Sequence, residues 1–194
     1  NRATLTVTAD AKSKTYDSLI YSGGYSSTIT GYMNGETGSV VTGAVTNYTG
    51  TAIAAVNYNA SNYVITPDIS PLSADNYTFV AANGVLTINK AVLTVTPDAK
   101  TKVYDNKVYT NSLPFTSTIT GYQGSDTSSV ITGVPTYSGT ASTSTNYSAT
   151  AYTITSVIDA MSAANYTFAS ANGNLTITKA VLTVTPNPFV KTYD

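Results

Sequence analysis

The 194-residue sequence contains no histidine, no cysteine and no tryptophan. Without histidine the commonest general base, proton shuttle and metal ligand is missing, so Ser/His and Cys/His nucleophilic catalysis is excluded. Without cysteine there is no disulfide framework, no thiolate chemistry and no cysteine-based zinc site. Charge is sparse as well: 9 basic and 10 acidic residues are scattered along the chain for a formal net charge of −1. No basic stripe can neutralise a phosphate backbone, which excludes nucleic acid as an expected partner. Neither a phosphate-cradling GxxxxGK nor a strand-linked GxGxxG occurs. No apolar run of about 18 residues occurs, so no membrane insertion is expected in this segment. These absences predict a protein that is not an enzyme and uses no cofactor.

What is present is tyrosine, at 16 residues, together with abundant Thr, Ser, Val and Ala. Residues of this kind fit a pleated, half-buried surface better than a helix, and the hydrophobic content of 42% is too high for a disordered Ser/Thr stalk. The expected class is all-β, and the chain should fold.

The sequence repeats itself. "SADNYTFVAANGVLTINK" at 73–90 answers "SAANYTFASANGNLTITK" at 162–179, and the alignment runs without a gap from Tyr48 to Lys90 against Tyr137 to Lys179. "STITGY" at 27–32 returns at 117–122, and "LTVT" with "KTYD" or "KVYD" some residues later opens near residues 5, 93 and 182. The expected organisation is a repeat domain at 1–90, a second at 91–179 and the opening strand of a third at 180–194. The chain thus begins and ends inside a repeated pattern, as a segment of a longer protein would. A unit of this size is large enough to own a small core. Within the first, "TLTVTA", "STITGY", "SVVTGAVTNY", "TAIAAVNY", "NYVITP", "NYTFVA" and "VLTIN" predict about seven strands separated by Gly, Asn, Asp, Ser and Pro clusters. Short strands so spaced suggest two tandem small antiparallel β-sandwich domains, Ig-like or β-grasp-like, in an elongated rod.

Alternation assigns the faces. Leu5, Val7, Val41, Ile65, Tyr77, Phe79, Leu86 and Ile88 are expected in the first core. Leu93, Val95, Ile131, Ile154, Tyr166, Phe168, Leu175 and Ile177 are expected in the second.

The ordered series of motifs carries a family resemblance. The opening "LTVT…KTYD", the middle "GY..G.T.SV.TG" and the closing "SAANYTF...NG.LTITKA" resemble the MBG/YDG-type repeats found in tandem in large bacterial surface proteins and filamentous-haemagglutinin-like adhesins. One departure is Ser18 after Asp17 and Asn106 after Asp105, where the YDG pattern has Gly. The resemblance implies stalk or spacer repeats of an extracellular bacterial cell-surface adhesin, projecting a distal adhesive domain and taking part in cell adhesion or biofilm. The alternative it leaves open is that the repeats themselves bind surface polysaccharide, host glycans or glycoprotein, or each other.

Several residues merit weighing as sites. Asp10, Asp17, Asp98 and Asp105 recur beside the junction and suggest calcium, which needs several oxygen ligands. Against this, Asn187 replaces the first Asp in the third copy, and turn-forming Asp is the more economical reading. Lys14 and Lys102 invite an isopeptide bond to Asn76 and Asn165, although no apolar pocket that would deprotonate the lysine is visible in the sequence. Most tyrosines recur in both units, which packing explains. Tyr25, Tyr32, Tyr109 and Tyr122, in the more variable front halves, are the better candidates for contact with a ligand such as a sugar ring.

The last feature is "KAVLTVTP", present at 90–97 and again at 179–186. Inward parity is even at Leu86 and Ile88 but odd at Leu93 and Val95, and it switches again between Leu175, Ile177 and Leu182, Val184. Lys90, Ala91 and Val92, and likewise Lys179, Ala180 and Val181, are therefore expected to form short stiff junctions, rotating each repeat against its neighbour, with no Gly, Ser or Pro tract to act as a flexible linker.

Overall fold

In the computed structural model, residues 1–109 and 114–193 are described. Fourteen strands are present among them, and no α-helix. The first repeat contains β1 (Ala3–Ala9), β2 (Lys12–Thr15), β3 (Ser27–Thr30), β4 (Tyr48–Thr49), β5 (Tyr63–Pro67), β6 (Tyr77–Ala82) and β7 (Gly84–Asn89). The second contains β8 (Ala91–Pro97), β9 (Lys100–Val103), β10 (Ser117–Thr120), β11 (Thr136–Ser138), β12 (Tyr152–Val157), β13 (Tyr166–Ser170) and β14 (Asn172–Thr178).

Each repeat makes two sheets. In the first they run β3-β1-β6 and β2-β7-β5-β4; in the second, β10-β8-β13 and β11-β12-β14-β9. The sandwich is mixed where an antiparallel one was expected. β1 pairs antiparallel with β3 but parallel with β6, from Ala3 opposite Tyr77 to Thr8 opposite Ala82. β2 and β7 are likewise parallel, as are β9 and β14. Parallel neighbours require a long connection between them, and the intervening strands of each repeat supply it.

The chain changes sheet at two corners. β1 ends at Ala9 and β2 begins at Lys12 in the other sheet; β6 and β7 are separated by Asn83 alone. At the second corner the backbones nearly touch: a Cβ on Gly84 would stand 2.3 Å from the Ala9 carbonyl oxygen, and one on Gly173 would meet the Pro97 oxygen at the same distance. Only glycine allows that approach.

Alternation then fills the core. β1 buries Leu5, Val7 and Ala9, β7 buries Leu86 and Ile88, and β5 contributes Ile65, with the threonines between them on the wetter face. In the second repeat Tyr109, Phe115, Ala141, Ile154, Leu175 and Ile177 form one cluster, with Tyr137 and Tyr152 packed against it. Four expected core residues, Val41, Phe79, Ile131 and Phe168, are only half-buried. Val41 and Ile131 cap 3-10 turns rather than lie in strands, and each is followed by a single bridge, Thr42 to Ser73 and Thr132 to Ser162. Phe79 lines a shallow groove with Arg2, Thr42, Leu72 and Asn76.

Two segments differ from the sequence reading, in opposite senses. "TAIAAVNY", expected as a strand, closes tight turns that bury Ala52 and Ala55 without a ladder, and "KSKT", absent from the expected strands, is the edge strand β2. The expected opening strand of a third repeat is not formed: residues 180–193 have no regular structure, and Leu182 and Val184 are 92% and 90% exposed. β1 and β8 are each held between two partner strands, and the sequence offers 180–193 no third copy of "STIT" or "NYTF" to pair with.

The chain divides into two compact units. One comprises Asn1–Leu93, Thr120–Gly133 and Met161–Phe168; the other comprises Thr94–Ile119, Val134–Ala160 and Ala169–Asp194. The first unit therefore holds the whole first repeat, the start of β8 and two stretches of the second repeat, the loop that follows β10 and the loop that leads into β13 with its first residues.

Candidate functional site

Between β7 and β8 a single residue, Lys90, lies outside a strand. The buried parity switches across it as the sequence predicted, from Gly84, Leu86 and Ile88 to Ala91, Leu93 and Val95. Around this point, and wholly within the first compact unit, the first repeat meets the two loops of the second.

Tyr16, just after β2, carries the apolar part of that contact. It is 5% exposed, and its ring meets that of Tyr166 edge to face, centroids 5.3 Å apart at 80°. Both hydroxyls donate to one oxygen of Asp126, Tyr16 at 2.9 Å and Tyr166 at 2.6 Å. The Tyr166 hydroxyl also accepts from the Gln123 N–H at 2.9 Å. Burial, with the hydrogen bond to Asp126 next, pushes the Tyr166 phenol up to about 12 and raises that of Tyr16.

Asn165 carries the polar part. Its side-chain oxygen accepts from the Tyr58 N–H at 2.9 Å, its amide donates to Asn57 Oδ1 at 2.9 Å, and its carbonyl accepts from the Ala91 N–H at 3.0 Å. Three of its groups are thus satisfied by the first repeat and the start of β8. Lys90 completes the arrangement: its ammonium donates to the Ala163 carbonyl at 3.0 Å and stands 5.0 Å above the Tyr58 ring. Ser18 lies against Gly124 so closely that a Cβ there would meet Ser18 Cβ at 2.9 Å. Ser18 has φ +64°, as Asn106 has φ +60°, so both take the left-handed conformation at the position the YDG pattern fills with glycine.

The residues singled out from sequence distribute as follows. Lys90 and Ala91 make the contacts just described, whereas Val92 is 54% exposed. Lys179 lies 4.8 Å over the Tyr147 ring, repeating the Lys90 and Tyr58 arrangement, while Ala180 and Val181 are exposed. Asp10 accepts from Ser26 at 2.6 Å and Thr28 at 2.9 Å; Asp98 accepts from Thr116 and from Thr118 at 2.8 Å. Those hydroxyl donors hold both carboxyls below the usual carboxylate range. Asp17 and Asp105 pair with Lys14 and Lys102 and accept from the Leu19 and Lys107 N–H groups at 2.9 Å, which lowers them also. These are turn and strand-edge roles, and the described residues contain no group of three acidic, His or Cys side chains that could hold a metal. The Lys14 and Lys102 ammoniums bond the Leu19 and Lys107 carbonyls, and Asn165 bonds the junction.

Of the four tyrosines weighed for ligand contact, Tyr109 is buried, 7% exposed and stacked on Phe115 at 5.2 Å, which removes it as a platform. Tyr25 leans on Tyr21 and Tyr48 and donates to the Ala52 carbonyl at 3.2 Å. Tyr32 and Tyr122 are half-buried edge-on to Tyr77 and Tyr166, at 6.3 and 6.4 Å. Sequence reasoning placed the junction on Lys90, Ala91 and Val92 and overlooked Tyr16, Asn57, Tyr58, Asp126 and Asn165. A signal was present: of the six Asn-Tyr dipeptides, those at 57–58 and 76–77 return at 146–147 and 165–166, whereas those at 47–48 and 62–63 do not.

A comparison with curated proteins finds no match. The family model for the MBG domain (YGX type) matches the chain twice in succession, over residues 5–87 and 93–176. These two stretches cover most of the sequence and coincide with the two repeats whose contact has just been described, so the chain belongs to the MBG domain family as two tandem YGX-type domains.

Proposed function

We propose that these domains are non-enzymatic stalk or spacer repeats of a bacterial cell-surface adhesin, holding a distal adhesive domain away from the cell. The observation that carries this reading is the junction: one residue separates β7 from β8, and Tyr16, Asn57, Tyr58 and Lys90 fasten the first repeat to loops of the second. A joint with that many satisfied groups resists bending, and stiffness is what a spacer requires of it. The missing histidine and cysteine, and carboxylates occupied in turns, support a mechanical role over a chemical one. On this reading the partners are neighbouring repeats of the same chain and the setting is extracellular.

Small-angle scattering on the chain, with and without four glycines inserted after Lys90, tests the proposal. The insertion should broaden the distribution of solution shapes while leaving the unfolding transition in place. An identical scattering profile for both proteins would overturn the stiff spacer. Specific, saturable glycan binding lost on Tyr32→Ala or Tyr122→Ala would instead favour the repeats as adhesive modules in their own right.

A further inference from the structure

Of the tyrosine pairs whose rings meet among the described residues, one has both hydroxyls on a single acceptor. Tyr16 and Tyr166 share an oxygen of Asp126 at 2.9 and 2.6 Å, with ring centroids 5.3 Å apart. Because the hydroxyls converge, the Cε carbons that flank them are drawn together too. In the Tyr25 and Tyr48 pair the hydroxyls part instead, one to the Ala52 carbonyl and the other to Ser27. Tyr32 and Tyr77 stand 6.3 Å apart, and of these two only Tyr77 bonds Glu36.

A third ring completes a series. Tyr122 stands edge to face with Tyr166, centroids 6.4 Å apart, and is half-buried where Tyr16 and Tyr166 are buried. Tyr122, Tyr166, Tyr16 and Asp126 all belong to the first compact unit, so the series runs from the surface of that unit into the contact between the repeats.

We propose that Tyr16 and Tyr166 are a site of oxidative modification, at which a one-electron oxidant joins them as dityrosine and fastens the first repeat to the second by a covalent bond. The chain has no cysteine with which to make such a fastening. Burial raises both phenols, that of Tyr166 to about 12, so each is neutral at physiological pH and gives up an electron readily only where a base takes its proton. The Asp126 carboxylate is that base for both rings.

The first oxidation withdraws an electron through Tyr122 and Tyr166, leaves the radical on Tyr16 and sends the proton to Asp126. Asp126 is only half-buried; it passes this proton to water and receives the next one when a second electron leaves Tyr166 by the same route. The two phenoxyl radicals combine, forming a bond between a Cε of each ring, and the two displaced Cε hydrogens move to the oxygens. Two electrons go to the oxidant and two protons to water, so the product is lighter by two hydrogens. The oxidant is external to the chain, an outer-sphere acceptor of single electrons that has to meet Tyr122 alone. Nothing in this step depends on the spacer reading.

Photo-oxidation of the dilute full chain with tris(bipyridine)ruthenium and persulfate tests the site. Dityrosine fluorescence should appear while the chain stays monomeric on a denaturing gel. Tandem mass spectrometry of a tryptic digest should find the peptide of residues 15–90 joined to that of residues 108–179 through Tyr16 and Tyr166. Tyr16→Phe, which keeps the ring and its packing, should lose this link entirely, and Tyr122→Phe should slow its formation. Asp126→Asn, which keeps the shape and accepts hydrogen bonds but takes up no proton, should slow it at least about tenfold. Asp126→Glu, a poorer match in shape but a base, should restore most of the rate, as Glu36 bonds Tyr77 at the matching place in the first repeat. Dityrosine that joins only other tyrosines, or none at all, overturns the proposal, and so does a link at Tyr166 that survives Tyr16→Phe. Parent rates in Asp126→Asn would overturn the carboxylate's part, and parent rates in Tyr122→Phe would overturn the relay.

Discussion

Tyr16 and Tyr166, from different repeats, donate their hydroxyls to the same oxygen of Asp126 while their rings meet edge to face. One carboxylate thereby ties two strands' ends to a loop, and its removal strands two phenols at once. Asp126→Ala should destabilise the first compact unit by about 1–3 kcal/mol, the usual cost of buried donors left without an acceptor. Urea titration reads this directly, and a loss under about 0.3 kcal/mol would mean that water replaces the carboxylate without penalty.

The ring contact can be separated from the hydrogen bonds. A double-mutant cycle on Tyr16→Leu and Tyr166→Leu should return a coupling energy of about 0.5–1.5 kcal/mol from the edge-to-face pair and the shared acceptor. Strictly additive losses would show that the two rings are neighbours without interaction.

The same tyrosines predict an alkaline limit. A phenol raised in the folded state to about 12 stays neutral there while its unfolded counterpart ionises near pH 10. Tyr166 therefore contributes stability that is whole below pH 10 and is lost as pH climbs towards 12. Thermal unfolding followed from pH 8 to 12 should show the decline, and Tyr166→Phe should lessen its slope. An unchanged slope would assign the alkaline loss to other groups.

The core makes an ordinary but firm prediction. Leu175 is fully buried beside Ile154 and Ile177, so Leu175→Ala should cost about 2–5 kcal/mol, a large part of what a small domain has. Calorimetry should find the loss; a melting point within a degree of the parent would contradict the assigned packing.

Ser18 offers the opposite sign. Its φ of +64° costs a residue with a Cβ about 1–2 kcal/mol, part of which glycine returns through its freer unfolded chain. Ser18→Gly should raise stability by about 0.5 kcal/mol in denaturant titrations, while Ser18→Val should lower it. Equal stability of the three proteins would mean that the backbone relaxes to another conformation.

The parts of the fold legible in the sequence were those where burial alternates with period two. β1, β5, β7 and their repeats announce themselves because one face is fully buried and Thr occupies the other, as in Leu5, Thr6 and Val7. β2 was illegible because an edge strand packs little, and "KSKT" carries the lysines that keep such an edge soluble. The turns at 52–55 misled for the converse reason: "AIAAV" has the composition of a strand, but Ala52 and Ala55 reach the core from tight turns. The parallel pairing of β1 with β6 left no local mark, since parallel and antiparallel neighbours ask the same side chains of a half-buried face. At the junction, parity foretold the switch of face across Lys90, while the Tyr16, Asp126 and Tyr166 contact joins residues whose adjacency only the folded backbone creates.

The parallel pairing also decides how a repeat answers a pull. Tension along the chain enters the first repeat at the start of β1 and leaves at the end of β7, directly after β6, and β1 lies in register beside β6 from Ala3 to Thr8. Two parallel strands drawn from opposite ends slide past each other, so their whole ladder is loaded at once rather than opened bond by bond. Such a geometry yields late and abruptly, and single-molecule stretching should record one high-force event per repeat instead of a gradual unzipping. The ladder that closes each sandwich is thereby also its brake.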